Sequence, residues 1–426
     1  MSLPRYPKYK ESGVEWLGVV PQHWGVSQSR RMFAVRSEPA TACDRMLTAS
    51  QKYGVLFQSD FVELEGRRVV EVIMGVESLK HVEPDDFIIS MRSFQGGIEW
   101  CRLRGSTSFH YVMVTPIKWV HPPFFAHVLK SSSYIQALRA TTDLIRDGQE
   151  LRYSNFVQVA LPVVPLDEQT QIAAFLDREA AKIDALVTEQ QRLIELLKEK
   201  RRSVISHAVT KGLDPNVAMK DSGIEWLGEV PAHWEVGPVK RYFASFDGRR
   251  VPLSGEERSG RKGEFPYYGA SGVIDWIDDY IFDEDLVLVS EDGANLLNRT
   301  TPIAFVATGK YWVNNHAHIL RPMDGGNAVF WAQAIDAIDL TPFVTGSAQP
   351  KFTAEALDNL RIAVPPTEAE RSAITAFINA QAATVDALTT EAQRAIDLLQ
   401  ERRAALISAA VTGQIDVRPA AERASV

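Results

Sequence analysis

Cysteine is nearly missing from this chain: 426 residues hold two, Cys43 and Cys101, and the second half holds none. That supply excludes a disulfide framework and predicts a reducing, cytoplasmic setting. Long apolar runs are also missing, and no stretch approaches the roughly 18 residues of a membrane span. Residues 1–13 are polar and broken by proline, which predicts no signal peptide. Positive charge is short as well. The 46 Lys+Arg meet 54 Asp+Glu for a net −8, which argues against a protein that simply coats nucleic acid. The expectation is a soluble cytoplasmic protein with no membrane partner.

Catalytic signatures are absent too. There is no Gly-x-x-x-x-Gly-Lys-Ser/Thr phosphate loop, no Gly-x-Gly-x-x-Gly after a strand, and no Asn-Pro-Pro-aromatic run. Glu83-Pro-Asp-Asp86 reads as a turn before a strand rather than a metal site. His316 and His318 share a face on a strand and could ligate a metal, but no further ligand spacing supports this and structural histidines are favoured. No nucleophile, base and orienting acid assemble. The chain is read as non-catalytic, with no metal and no cofactor of its own.

What is present is a repeat. Residues 10–24 return as residues 220–234 with 11 of 15 positions identical, both ending in Pro-x-His-Trp. Residues 172–210 return as 374–412 with 22 of 39 identical. Matches on this scale are duplication. Between these anchors the two copies share little, and their charge differs: residues 1–164 carry 19 basic and 16 acidic groups, residues 214–364 carry 13 and 22. One frame carries two divergent domains.

The frame is helical. Ile172, Leu176, Ile183, Leu186, Leu193, Leu197 and Val204 recur at steps of three and four, and Ile374, Ile378, Val385, Leu388, Ala392, Ala395, Leu399 and Leu406 repeat the register. Pro165 and Pro366 mark the entries and Gly212 and Gly413 the exits. About 40 residues at roughly 1.5 Å each make ~60 Å per helix. Such a stripe needs a partner, and its own duplicate is the first choice. The intervening segments read as mixed α/β with short strands such as residues 87–90 and 286–290. The expected divisions are a globular domain 1–164, a helix 165–213, a second domain 214–364, a helix 365–413 and a flexible tail 414–426. Trp16, Trp24, Trp226 and Trp234 are expected to lock each domain onto the helix pair, and His23 and His233 are read as packing residues.

The opening Tyr6-Pro-Lys-Tyr-Lys-x-Ser-Gly-Val-Glu-Trp-Leu-Gly and Pro21-x-His-Trp24 resemble the specificity subunits of type I restriction–modification systems. So do Phe265-Pro-Tyr-Tyr-Gly-Ala-Ser-Gly272, Asn314-Asn-His-Ala-His318, Gly346-Ser-Ala-Gln-Pro-Lys351 and Pro165-Leu-Asp-Glu-Gln-Thr-Gln-Ile172. One departure is Glu370-Arg371, where the family's usual pair is Glu-Gln. The resemblance implies an α+β chain with two target-recognition domains in tandem, separated by two long antiparallel coiled-coil spacer helices with pseudo-two-fold symmetry. Each domain would read half of a split site in double-stranded DNA, while the helices dock two methyltransferase subunits and restriction (motor and nuclease) subunits join. S-adenosylmethionine and ATP with Mg would sit on those partners. The rival reading is a non-catalytic protein-binding scaffold with a coiled-coil spacer.

Base reading uses Arg, Lys, Asn and Gln, and phosphate contact uses positive charge. The DNA-binding candidates are therefore Arg30, Arg31, Arg67, Arg68, Arg92, Ser93 and Gln95 in the first domain. In the second they are Lys240, Arg241, Arg249, Arg250, Arg261, Lys262, Tyr268, Asn295 and Lys351. Val187, Ile194, Ile396 and Ile407, flanking the helical seam, are the candidates for partner binding.

Overall fold

A computed structural model describes residues 3–66, 79–90, 93–141, 151–346 and 349–419. The chain forms two compact units, one made of Met1–Gln190 with Arg394–Val426 and the other of Gln191–Gln393. The division runs through the helices rather than at their ends.

In the first unit, strands Tyr9–Glu11 and Val19–Pro21 make a hairpin, and Gly25–Gln28 pairs antiparallel with Ala160–Val163 just ahead of the first long helix. An antiparallel sheet follows in the order Phe33–Arg36, Val112–Pro116, Phe87–Ile89, Glu99–Trp100. The turn ahead of Phe87 is Glu83-Pro-Asp-Asp86, with Asp85 at φ 73°. Phe33 centres the core, meeting Phe87, Phe125 and Phe156 at 5.6, 5.6 and 5.7 Å with rings nearly perpendicular, the geometry that ring quadrupoles favour.

The second unit repeats this plan although its sequence between the anchors does not. Met219–Asp221 pairs with Glu229–Pro231, and Glu235–Pro238 with Arg361–Val364. Its central sheet runs Phe243–Ser245, Ala317–Pro322, Leu286–Ser290, Ala304–Ala307, the same order of equivalent strands. A second sheet, Gly272–Ile277, Lys262–Gly269, Lys310–Val313 and Phe282–Asp283, is matched in the first unit by the pairs Gly54–Phe57 with Leu47–Ser50 and Gly105–Thr107 with Lys80–Val82, joined by a parallel bridge between Met46 and Ser106.

The helices are Leu166–Lys211 and Glu368–Val411. In the second unit Arg201 pairs with Asp386 at 2.7 Å, and Val204 and Ile205 share a lining with Ile378 and Val385, so the segments run antiparallel. In the first unit Arg403 pairs with Asp184 at 3.1 Å. Ile183 and Ile194 are buried, eleven residues apart, as are their duplicates Val385 and Ile396. Eleven residues are three turns of an ordinary α-helix, whereas a 3.5-residue seam drifts off the contact face. This corrects the sequence reading. Leu186, Leu193 and Leu388, placed on the seam, are exposed, while Ile194 and Ile396, assigned to a partner, are 9% and 4% exposed and packed inside.

The Pro-x-His-Trp corners clamp the helix starts. Trp24 donates its indole N–H to Glu168, which also accepts from Tyr6 Oη at 2.5 Å and lies 2.7 Å from His23 Nε2. Trp234 donates to Glu370 at 2.8 Å, with His233 at 3.0 Å. Each indole also abuts the end of the other helix. A Cβ on Gly413 would meet Trp24 at 3.1 Å, and one on Gly212 would meet Trp234 at 3.4 Å. Positive φ at both glycines, 73° and 78°, ends each helix there. Trp16 instead donates to Ala160 O within its own domain, and Trp226 is exposed, so neither locks a helix.

The segment after Gly413 is not free. Asp416 N donates to Pro4 O at 2.8 Å, Val417 is fully buried, and Arg418 lies over the Tyr6 ring. The expected flexible tail is therefore packed through residue 419.

Candidate nucleic-acid interface

Four loops of the second unit meet at one rim. Glu291 N donates to His316 O at 2.9 Å, Gly293 N to Pro350 O at 3.0 Å and Phe352 N to Glu291 O at 2.7 Å. Asn314 N donates to Tyr268 O, and Ser290 Oγ to Ala270 O. The motifs Phe265–Gly272 and Asn314–His318 and the 349–351 end of the third motif are thus neighbours in space. The rim exposes Ser271, Asn315, His316, Gln349 and Lys351, side chains of the kind that hydrogen-bond base edges and phosphates.

Beneath the rim lies an ionic layer. Glu291 pairs with Arg250 at 2.5 Å and with Lys351 at 3.1 Å. Burial opposes its charge, yet these cations more than offset that and hold Glu291 below its ordinary range. His318 faces Asp247 at 2.6 Å and the Phe352 carbonyl at 2.9 Å. Burial disfavours the imidazolium, but Asp247 and the carbonyl win and raise the histidine. Asp247, Glu291 and His318 have ligand-type atoms within 4.8 Å of one another. Because both His318 ring nitrogens are already committed and Glu291 is neutralised, this is an ion-pair network and not an open ligand set.

The candidates from sequence fall in several places. Arg250, Lys351 and Asn295 gather near the rim, where Asn295 braces its loop through Thr301 N and O. Arg249 lies over the Phe282 ring at 4.8 Å. Lys240 bonds Asn359 and Arg241 pairs with Glu235, both beside the Glu235–Pro238 strand. Arg261 and Lys262 sit at the start of the Lys262–Gly269 strand, paired with Asp278 and Asp275. Tyr268 is half-buried between Phe305 and Tyr311, a core position. Acidic neighbours hold most of these cations because this segment carries the excess of carboxylates.

In the first unit Arg30 and Arg31 are exposed, with Arg30 donating to Gln28 at 2.9 Å. Gln95 is exposed, but Ser93 is 1% exposed and accepts from Ser90 N, so it closes a turn rather than facing a ligand. Arg67, Arg68 and Arg92 lie outside the described residues. Asn315, His316 and Gln349 were not among the DNA-binding candidates, His316 having been weighed only as a metal ligand, although all three stand inside the motifs singled out from the sequence. The sequence reading gave weight to Arg and Lys and could not see which loops meet. The Glu370-Arg371 departure is accommodated. Gln169, its counterpart, bonds His121 N, Trp119 O and Val164 O, while Arg371 reaches Pro365 O and Asp324 at 2.5 Å. No helix among the described residues is long and apolar enough to cross a membrane.

Residues 231–407 match the family described as type I restriction modification DNA specificity domain. The Haemophilus influenzae protein named as type I restriction enzyme specificity subunit S.HindORF215P is 33% identical over 24% of this chain and 26% of its own length. The Salmonella potsdam StySPI specificity subunit is 28% identical over 35% and 34%, and the Methanocaldococcus jannaschii MjaVIII specificity subunit is 24% identical over 62% and 64%. The matched segments thus span from about a quarter to just under two thirds of these curated relatives. The fold is shared with the HsdS subunit of Thermoanaerobacter tengcongensis, at a TM-score of 0.54 and 15% identity, covering 93% of this chain and 98% of that one. It is also shared with a chain from a structure of complex assembly and conformational transition in a type I R-M system, at a TM-score of 0.68 and 14% identity over 93% and 99%. Residues 231–407 thus match a type I restriction modification DNA specificity domain, and the chain is similar in sequence to type I restriction enzyme specificity subunits and shares the fold of HsdS.

Proposed function

We propose that this chain is the sequence-specific DNA-binding subunit of a cytoplasmic type I restriction–modification complex and has no catalytic site of its own. Domains 1–164 and 214–364 each read half of a split site in double-stranded DNA. The helical stretches 165–213 and 365–413 dock two methyltransferase subunits. Methyl transfer from S-adenosylmethionine and ATP- and Mg-dependent work belong to those partners and to restriction subunits.

The observation that carries this reading is the duplicated clamp, Trp24 on Glu168 and Trp234 on Glu370. Two frames of one chemistry carry two domains that differ, which suits two identical protein partners and an asymmetric DNA site. The helix surfaces agree: Leu186 and its duplicate Leu388 are 52% and 50% exposed, and Leu196 and Leu398 are exposed likewise. These leucines, with the half-buried Val187 and Ile407, replace Ile194 and Ile396 as the methyltransferase-facing residues. The test is co-expression with a methyltransferase subunit of the same system and methylation-aware sequencing of the host DNA. A split motif lost when this chain is omitted supports the reading. A stable complex without a motif refutes DNA reading, and no complex returns the scaffold alternative.

A further inference from the structure

His318 stands on the strand Ala317–Pro322, 1% exposed, beneath the rim. Its Nδ1 lies 2.6 Å from Asp247 Oδ2 and its Nε2 lies 2.9 Å from the Phe352 carbonyl. A carboxylate and a carbonyl only accept, so both ring nitrogens must donate and the ring is a cation. Its two partners belong to different loops. Asp247 sits in the short turn Asp247–Arg249 and also accepts from Ile319 N at 2.7 Å. Phe352 ends the loop that carries Gln349 and Lys351, and the Thr345–Lys351 bridge closes that loop's base.

We propose that the His318 imidazolium is a positioning residue for DNA recognition, pinning the 349–352 segment to the 247–249 turn so that the rim keeps its shape. The inference rests on the DNA-reading role above. A neutral ring would set a lone pair against either the Asp247 carboxylate or the Phe352 carbonyl, and one tie would be lost. The other charged groups facing this site are Glu291, 3.8 Å from Nδ1, with Arg250 and Lys351, which neutralise Glu291. Exposed His316, paired with Asp292 at 2.8 Å, is a separate titrating group on the same rim.

The experiment uses the full-length chain in complex with its methyltransferase, as wild type, Asp247→Asn and His316→Gln. An asparagine at 247 can donate to a neutral Nδ1 while Nε2–H still meets Phe352 O, so this variant suits the neutral ring. Two quantities are read as pH rises above about 6.5, the ordinary histidine value. One is tryptic cleavage after Lys351, normalised to cleavage of the corresponding free peptide. The other is retention of DNA carrying the motif found by methylation sequencing. In wild type, cleavage should rise and retention fall together, each several-fold, and in His316→Gln, read by cleavage alone, the same rise should appear. In Asp247→Asn both should stay flat. Constant cleavage in wild type, or the same pH profile in Asp247→Asn as in wild type, overturns the proposal. If cleavage follows the expected pattern but no DNA is retained at any pH, the DNA-reading role itself fails.

Discussion

The indole N–H of Trp24 donates to Glu168 Oε1 at 3.1 Å, joining the corner of a globular domain to the first turn of a 46-residue helix. Glu168 is 4% exposed at its side chain, and Tyr6 and His23 converge on it as well. The counterpart Glu370 serves only Trp234 and His233 among these clamp residues and is 29% exposed at its side chain. The carboxylate of the first clamp is therefore the more buried of the two and meets one more donor.

Glu168→Gln should destabilise the protein by about 1–3 kcal/mol, because buried donors lose a charged acceptor. Glu370→Gln should cost less, since water reaches that carboxylate. Urea unfolding of the two variants checks the order, and equal losses would contradict it.

Stability should fall at both ends of the pH scale. His81 lies between Asp44 and Glu83, each at 2.8 Å; burial disfavours its charge, but the two carboxylates raise it. A histidine raised in the folded state contributes fully below its unfolded value of about 6.5 and stops contributing as pH rises through the folded value. Asp44 is depressed to about 2 against 3.8, because Thr41 and His81 outweigh its burial. Its contribution is complete above 3.8 and is lost between 3.8 and about 2. Thermal unfolding across pH should show a plateau between these limbs, and Asp44→Asn should lack the acid limb assigned to this carboxylate.

Truncation after Gly413 should destabilise the first unit although it leaves both long helices and the sheets of that unit in the chain. It strips Val417 from the core and Arg418 from Tyr6. Val417→Ala alone should cost about 1–2 kcal/mol by analogy with other buried methyl deletions. Faster proteolysis of residues 3–20 in the truncated chain is the measurement, and unchanged cleavage would refute it.

Charge on the helices should separate folding from docking. Ile194→Asp and Ile396→Asp bury an unpaired carboxylate in the helix contact and should lower the melting temperature sharply. Leu186→Asp and Leu388→Asp sit on exposed duplicate positions and should leave melting nearly unchanged while weakening retention of the methyltransferase in size-exclusion chromatography. A docking loss confined to the buried pair would reverse the assignment.

Much of the architecture was legible in the residues. The repeats at 10–24 and 172–210 carry local signals, namely the proline entries, glycine exits and an apolar stripe that only a helix satisfies. The contact face of that stripe was not legible. A stripe wide enough to include Leu186, Ile194 and Leu197 fits either a 3.5- or a 3.67-residue period, and only packing selects Ile194. The fate of the arginines was hidden for a related reason, since Arg250 meets Glu291, 41 residues away, through folding alone.

The sequence by itself determined that one helical frame was written twice and that Pro-x-His-Trp recurs at each domain's entry, because local propensity and identity need no partner to be read. The tertiary structure decided that each tryptophan grips a glutamate at the start of one helix and a glycine at the end of the other. It also decided that three distant motifs meet at one rim above His318. Contacts between residues far apart in the chain depend on chain closure and close packing, which no local pattern encodes.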